Sequence, residues 1–498
     1  MTTSVLRGRL VLEDTVVEDG IIEFDGATIT RVCPVSEYEG EVPEASDSTY
    51  LPGLVDVHCH GGGGESFPNA ETAEAALIAV LEHRRHGTTS LVASCVTASA
   101  EVLRARAKTL AELAKADELA GIHFEGPFVS HERCGAQDPT YIVDPDADLT
   151  RTLIEDCQGY ALSMTLAPEK PNAYGPGSVA EALIDGGALP SWGHTDSNSV
   201  KAREALAYSR ERFAQVETKR GPRATITHLF NGMRPLHHRD TGPIAEFLSD
   251  AARGGAVAEL ICDSVHVDPS LVRDVYELVG REHVVLITDA MAAAGMADGE
   301  YTLGPQDVIV KDGVARLAHG NSIAGGTAHL MDCVRVAVTK GGIPLVDAVY
   351  MASAQGATIL GDDTIGSLAA GKKADIVEVD SDLDVRRVWR RGTVVALEAN
   401  VARNDRGARR VHCRWTAWPP CRVWNAALTG AIIRCAACPV RRRNTPARPA
   451  CARFPRAQRT WLRGPRKLRL ACLRESRHAV TGTWSAGGED CVPCNARM

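Results

Sequence analysis

The sequence predicts an α/β protein: a (β/α)8, TIM-like barrel, a small β-sandwich domain formed by N- and C-terminal segments, and an irregular basic C-terminal tail. Three observations carry this. Eight short apolar runs alternate with Ala-rich amphipathic stretches, the pattern a parallel barrel requires. β-type patterning flanks that region on both sides, and the composition changes abruptly near residue 399.

Residues 1–50 read as the first part of the small β domain. In "RGRLVLEDTVVEDGIIEFDGATITRV" the apolar runs are separated by Asp-Gly turn signals. The barrel is assigned to 51–350. Its strand candidates are "GLVDVHCH", "TSLVASCV", "LAGIHFEG", "ALSMTLAPE", "LPSWGHTD", "ATITHLFN", "AVAELICDSVH" and "HVVLITDA". Between them lie helical stretches such as "AETAEAALIAVLEHRRHG" and "AEVLRARAKTLAELAKADELAG". Residues 351–398, with "DIVEVDSDLDVRRVWRRGTVVAL", return to strand signals and complete the small domain.

The chain has 498 residues, 44% hydrophobic and 24% charged, within the soluble globular range. No run of 18 or more apolar residues occurs, so no membrane span is expected. The N-terminus turns acidic within a dozen residues and lacks a signal-peptide core, which makes the cytoplasm the expected location. Cys33, Cys59, Cys95, Cys134, Cys157, Cys262 and Cys333 have no metal-type spacing and read as reduced thiols. The net charge of −8 conceals a split, because residues 401–498 hold 21 Lys and Arg against 4 Asp and Glu.

Nearly every barrel strand ends in a residue able to bind metal or move protons. His58 and His60 share one face of strand one, because side chains alternate along a strand. Strand three ends in Glu125, strand five in His194 and strand six in His228. Strand seven leads to Asp263 and His266, and strand eight ends in Asp289. C-terminal strand ends converge on one mouth in such a barrel, so these residues are expected to meet. Imidazole with carboxylate favours Zn, Fe, Co or Mn as a divalent ion. Either two ions share Glu125, or one ion leaves some ligands to substrate. With Asp289 to receive and return a proton, the chemistry is hydrolysis.

The segments "PGLVDVHCHG", "HFEGPF", "GHT", "THLFNGM" and "TDA" resemble the amidohydrolase superfamily. With "RCGAQDP", "DSVHVD" and "IAGGT", the chain is similar to its N-acetylglucosamine-6-phosphate deacetylase group over roughly residues 5–398. The resemblance implies hydrolysis of an N-acetyl group from a phosphorylated amino sugar. It implies Glu125, His194 and His228 as principal metal ligands, and His58 and His60 as a second metal position that some members retain. Asp289 matches the acid/base. Ala136, Asn231, Gly232, Arg239, Asp263, His266 and the backbone of Ile323, Ala324 and Gly325 match substrate contacts. Arg239 matches a residue that in some relatives reaches into the neighbouring subunit, implying a homodimer. Gln137 also matches a substrate contact, at a position where some relatives carry a phosphate-holding histidine. It can donate a hydrogen bond but carries no charge, so His266 and Arg239 are expected to dominate phosphate binding.

Three readings compete for the tail, 399–498. Its charge and five Trp suggest a nucleic-acid-binding extension; the CxxC pairs Cys435/Cys438 and Cys491/Cys494 suggest a zinc module. The favoured reading is the translation of a shifted frame in a GC-rich gene, disordered if made. A partner nucleic acid is therefore not expected. The rival functions are another amidohydrolase, acting on a cyclic amide or other N-acylated amino sugar, and a non-catalytic nucleic-acid binder.

Overall fold

The computed structural model describes residues 3–396. The expected tail, 399–498, lies outside them, as do both CxxC pairs.

Eight parallel strands form the barrel: Leu54–Cys59, Thr88–Val96, Gly121–Phe128, Ala161–Leu166, Leu189–Trp192, Ala224–Ile226, Ala256–Ile261 and Val284–Ile287. They fall on the eight apolar runs expected from the sequence. Every residue of these strands is buried, since parallel strands are covered on both faces. The helices outside follow the same logic. Ala100–Lys115 starts at Ser99, whose hydroxyl accepts the Val102 N–H, and it turns Leu103, Ala107, Leu110, Ala111 and Ala114 inward.

Strands eight and one meet just beyond their regular pairing. The Asp289 N–H donates to the His58 carbonyl at 2.9 Å, and the His60 N–H to the Ala290 carbonyl at 2.7 Å. Beneath this seam Asp56 accepts from the Thr288 hydroxyl at 2.6 Å and from the His58 N–H at 3.2 Å. Closing the barrel therefore brings its first and last functional strands together.

The N- and C-terminal strands form one mixed seven-stranded sheet rather than two separately bonded layers. Its order is Thr393–Val394, Val385–Arg390, Ile376–Val379, Thr49–Pro52, Thr3–Val11, Val16–Asp25, Thr28–Pro34. Leu10, Ile22, Phe24, Ile29, Ile376 and Trp389 pack as its own apolar cluster. A further three-stranded antiparallel sheet follows barrel strand eight: Gly299–Leu303, Gln306–Lys311 and Val314–Leu317. The alternation in "VIVKDGVARL", split by Asp-Gly, is the signal that marks this hairpin. No helix among the described residues is long and apolar enough to cross a membrane.

Candidate active site

The strand ends bring together the residues singled out by type and spacing. His58 and His60 face the barrel axis with their Nε2 atoms 3.2 Å apart. Cys59, pointing the other way, places its thiol 3.3 Å from His83 Nε2. Glu125 sits between two histidine pairs. Its Oε1 lies 2.7 Å from His194 Nε2 and 2.9 Å from His228 Nε2, while Oε2 lies 2.9 Å from His60 Nε2. Asp289 Oδ1 is 3.1 Å from His60 Nε2 and 3.5 Å from His58 Nε2. Two ligand sets result, His58–His60–Glu125–Asp289 and Glu125–His194–His228, joined by Glu125.

Backbone geometry aims these side chains. His194, His228 and Asp289 have φ of 50°, 25° and 47°, left-handed values that cost an L-residue about 1–2 kcal/mol. Such strain clusters at functional sites when the surroundings over-determine it. Gly232, at φ 59°, permits the packing around His194: a Cβ there would lie 2.7 Å from His194 Nδ1.

A second layer, not anticipated from the sequence, holds the first. Glu259, in the middle of strand seven, accepts from His58 Nδ1 at 3.1 Å and from the His228 N–H at 3.3 Å. Gln137 donates to Glu125 Oε2 at 2.7 Å and accepts the Thr97 N–H at 2.7 Å. Below, the His123 ring lies 4.5 Å from that of His58 and bonds to the Ser163 and Thr165 hydroxyls. Glu259 and His123 lie within strands, where polarity inside an apolar run was the only available signal.

The site forms the floor of a cavity of about 370 Å3. Ala136, Gln137, Asn231, Gly232, His266, Ile323 and Gly325 line it. Asp263 approaches it through His266, holding that ring's Nδ1 at 2.7 Å. Ala324 is fully buried in the core of the three-stranded sheet, and Arg239 lies exposed on its loop, outside the lining of this chain's cavity. The sheet adds Leu303 and Arg316, and the loop after it Asn321 and Ser322, all unanticipated.

Burial alone would make Glu125 a weak acid, but hydrogen bonds from His194, His228, His58 and His60 hold its carboxyl well below the usual range. Asp289 is likewise penalised by burial, yet His60 and His58 bring it down to about 2. Burial disfavours a charged His60, but Asp289 and Glu125 outweigh this and push it up to about 9. Both acids are therefore ionised, beside imidazoles that crowd toward them.

The donor chemistry fits a divalent cation. Two Nε2···Nε2 pairs, 3.2 Å and 3.1 Å apart, converge on carboxylate oxygens, and lone pairs so arranged require a proton or a metal between them. The buried His228 Nδ1 has no partner among the described residues, so this ring's side-chain hydrogen-bond contacts there are both at Nε2, to Glu125 and His194.

Comparison with known proteins agrees with this geometry. The model of the amidohydrolase family matches residues 49–397. An N-acetylglucosamine-6-phosphate deacetylase of Bacillus subtilis (strain 168) is 33% identical, over 78% of this chain and 96% of its own. An N-acetylgalactosamine-6-phosphate deacetylase of Escherichia coli O157:H7 is 31% identical, over 79% of this chain and all of its own. A mutant N-acetyl-D-glucosamine-6-phosphate deacetylase of Mycobacterium smegmatis, solved in complex with N-acetyl-D-glucosamine 6-phosphate, superposes with a TM-score of 0.72. It is 35% identical and covers 79% of this chain and 100% of its own. The chain belongs to the amidohydrolase family.

Proposed function

We propose that this chain hydrolyses N-acetyl-D-glucosamine 6-phosphate to D-glucosamine 6-phosphate and acetate, a step of amino-sugar breakdown. The observation that carries the reading is the buried cluster joined by Glu125, with Asp289 at its edge, under a cavity large enough for a sugar phosphate. The deacetylases named above support the substrate class.

Glu125, His194 and His228 would hold one divalent ion of the Zn, Fe, Co or Mn type, and His58 and His60 with Glu125 a second where both are bound. Such an ion polarises the amide carbonyl and makes water a nucleophile near neutral pH. Asp289, ionised, takes the proton from the attacking water as the new C–O bond forms. It returns that proton to the nitrogen as the C–N bond breaks, so glucosamine leaves as a neutral amine. His266, aligned by Asp263, donates to the phosphate. Asn231, Gly232, Ala136 and the Ile323–Gly325 segment enclose the sugar.

Arg239 is exposed and outside the lining of its own chain's cavity, so we assign it to the phosphate site of the partner subunit in a homodimer. The cytoplasm is the setting we assign, on the scattered free thiols.

A second reading has support from the Escherichia coli relative: the sugar is the galactosamine epimer. Acetate release from N-acetylglucosamine 6-phosphate, N-acetylgalactosamine 6-phosphate and unphosphorylated N-acetylglucosamine tests both. The highest kcat/KM is expected on the first. A higher value on the second assigns the epimer, and no release from any of the three overturns the deacetylase.

A further inference from the structure

A second group of metal-type side chains lies outside the active site. Helix Ala73–Arg85 carries Glu82, and His86 follows its last turn at i+4, so the two share a face. His329, the N-cap of helix Leu330–Thr339, meets them. One ligand atom from each of the three lies within 4.8 Å of the other two.

Each side chain is held with a nitrogen or oxygen to spare. The Asp332 carboxylate, 3.5 Å from His329 Nδ1, leaves His329 Nε2 facing Glu82 Oε1 at 3.1 Å. His86 Nδ1 lies 2.9 Å from the Glu82 carbonyl, to which it donates, and 3.4 Å from Glu82 Oε1; its Nε2 keeps a free lone pair, which a turn of the ring would bring to the ion. Arg85 takes the other Glu82 oxygen, at 3.2 Å. A cavity of about 380 Å3 opens beside His86 and His329. Around it Glu82, Asp332 and Asp384 face Arg85 and Arg335, so with both imidazoles neutral, as metal ligands must be, one negative charge is left for a cation to neutralise.

The geometry points to a second metal site at Glu82, His86 and His329, for a Zn2+-class ion with a water or outside ligand in the fourth position. Two imidazoles and one carboxylate are a common donor set for that ion. Asp332 behind His329 repeats the carboxylate–histidine arrangement that fixes which ring nitrogen faces a metal. The His86 and His329 rings now lie face to face, with centroids 3.6 Å apart and planes 13° from parallel. Parallel rings do not aim lone pairs at one point, so the half-exposed His86 ring turns when the ion enters.

The position gives the site a consequence. Glu82 packs against Gly63, in the loop after His60, and against Gly295, in the loop after Asp289. A Cβ at Gly295 would fall 2.0 Å from Glu82 Oε1, so only glycine allows that approach. An ion here clamps the end of the first barrel helix beside the two loops that carry His60 and Asp289.

The test uses the full chain, stripped of metal by a chelator and titrated with Zn2+. Wild type is compared with His86→Ala, which removes a half-exposed side chain, and with the isosteric Glu82→Gln. Both variants are expected to bind one equivalent fewer than wild type and to show a smaller zinc-induced rise in Tm. Cysteines in 399–498 contribute equally to all three proteins and cancel in the comparison. With Co2+, wild type minus variant should show the visible band of a four-coordinate nitrogen–oxygen site, without thiolate charge transfer. Equal zinc equivalents in wild type and both folded variants overturn the site. The count is independent of acetate release, so failure of the deacetylase reading would be seen separately.

Discussion

Glu259 accepts a hydrogen bond from His58 Nδ1 at 3.1 Å and, through the same oxygen, one from the His228 backbone at 3.3 Å. This buried carboxylate fixes His58 as the tautomer with Nε2 toward Glu125, and it ties together the two histidine sets. Partners behind metal-binding histidines are worth 10–100-fold in metal affinity. Glu259→Ala should weaken metal retention by about that factor, with His58 and His60 losing their ion first. Equilibrium dialysis with metal analysis reads this directly.

Gln137 occupies Glu125 Oε2, so its role is to orient the shared carboxylate. Gln137→Ala should lower metal affinity and kcat together while KM for the sugar phosphate changes little. A change confined to KM would instead make Gln137 a substrate contact.

Asp289 is the one acid of the cluster placed at its edge and held ionised by His60 and His58. Asp289→Asn preserves shape but cannot take a proton. It should keep bound metal and lose roughly 10²–10⁴-fold in kcat, the usual worth of a general acid–base. Metal analysis beside steady-state kinetics checks both halves.

Arg239 makes no ion pair among the described residues, which suits a side chain that serves another subunit's phosphate. Arg239→Ala should raise KM more for phosphorylated than for unphosphorylated substrate. Co-expressing Arg239→Ala chains with Asp289→Asn chains should restore activity, because each heterodimer then has one site with both groups intact. No recovery in such mixtures would place Arg239 in its own chain's site or outside catalysis.

His83 is buried behind strand one, and burial, helped by His329, pushes its pKa down to about 3. The unfolded chain takes up this proton near pH 6.5 and the folded chain does not. The stability it contributes is therefore present above pH 6.5 and lost as the pH falls toward 3, by up to about 1.4 kcal/mol per unit. Urea unfolding at pH 7 and pH 5 should show a smaller loss in His83→Gln than in wild type.

Local signals made the barrel and much of the site legible. Eight apolar runs separated by amphipathic helices can close in few ways, and strand polarity sends His58, His60, Glu125, His194, His228 and Asp289 to one mouth. The period of two along a strand put His58 and His60 on one face and Cys59 on the other. The second layer was not legible. A lone Glu259 or His123 inside a strand has no spacing that announces its partner, which lies on another strand many residues away.

The sequence by itself determined the order of strands and helices, the family motifs, and which residue types reach the C-terminal mouth, because these follow from periodicity and connectivity. Only the tertiary structure decided that Glu125 is shared between two histidine pairs, that Gln137 and Glu259 lock the ligands, and that Arg239 lies outside the lining of its own chain's cavity. It also set His194, His228 and Asp289 at positive φ. Those relationships depend on distances between elements far apart in the chain. Packing and barrel closure set such distances, and no local pattern encodes them.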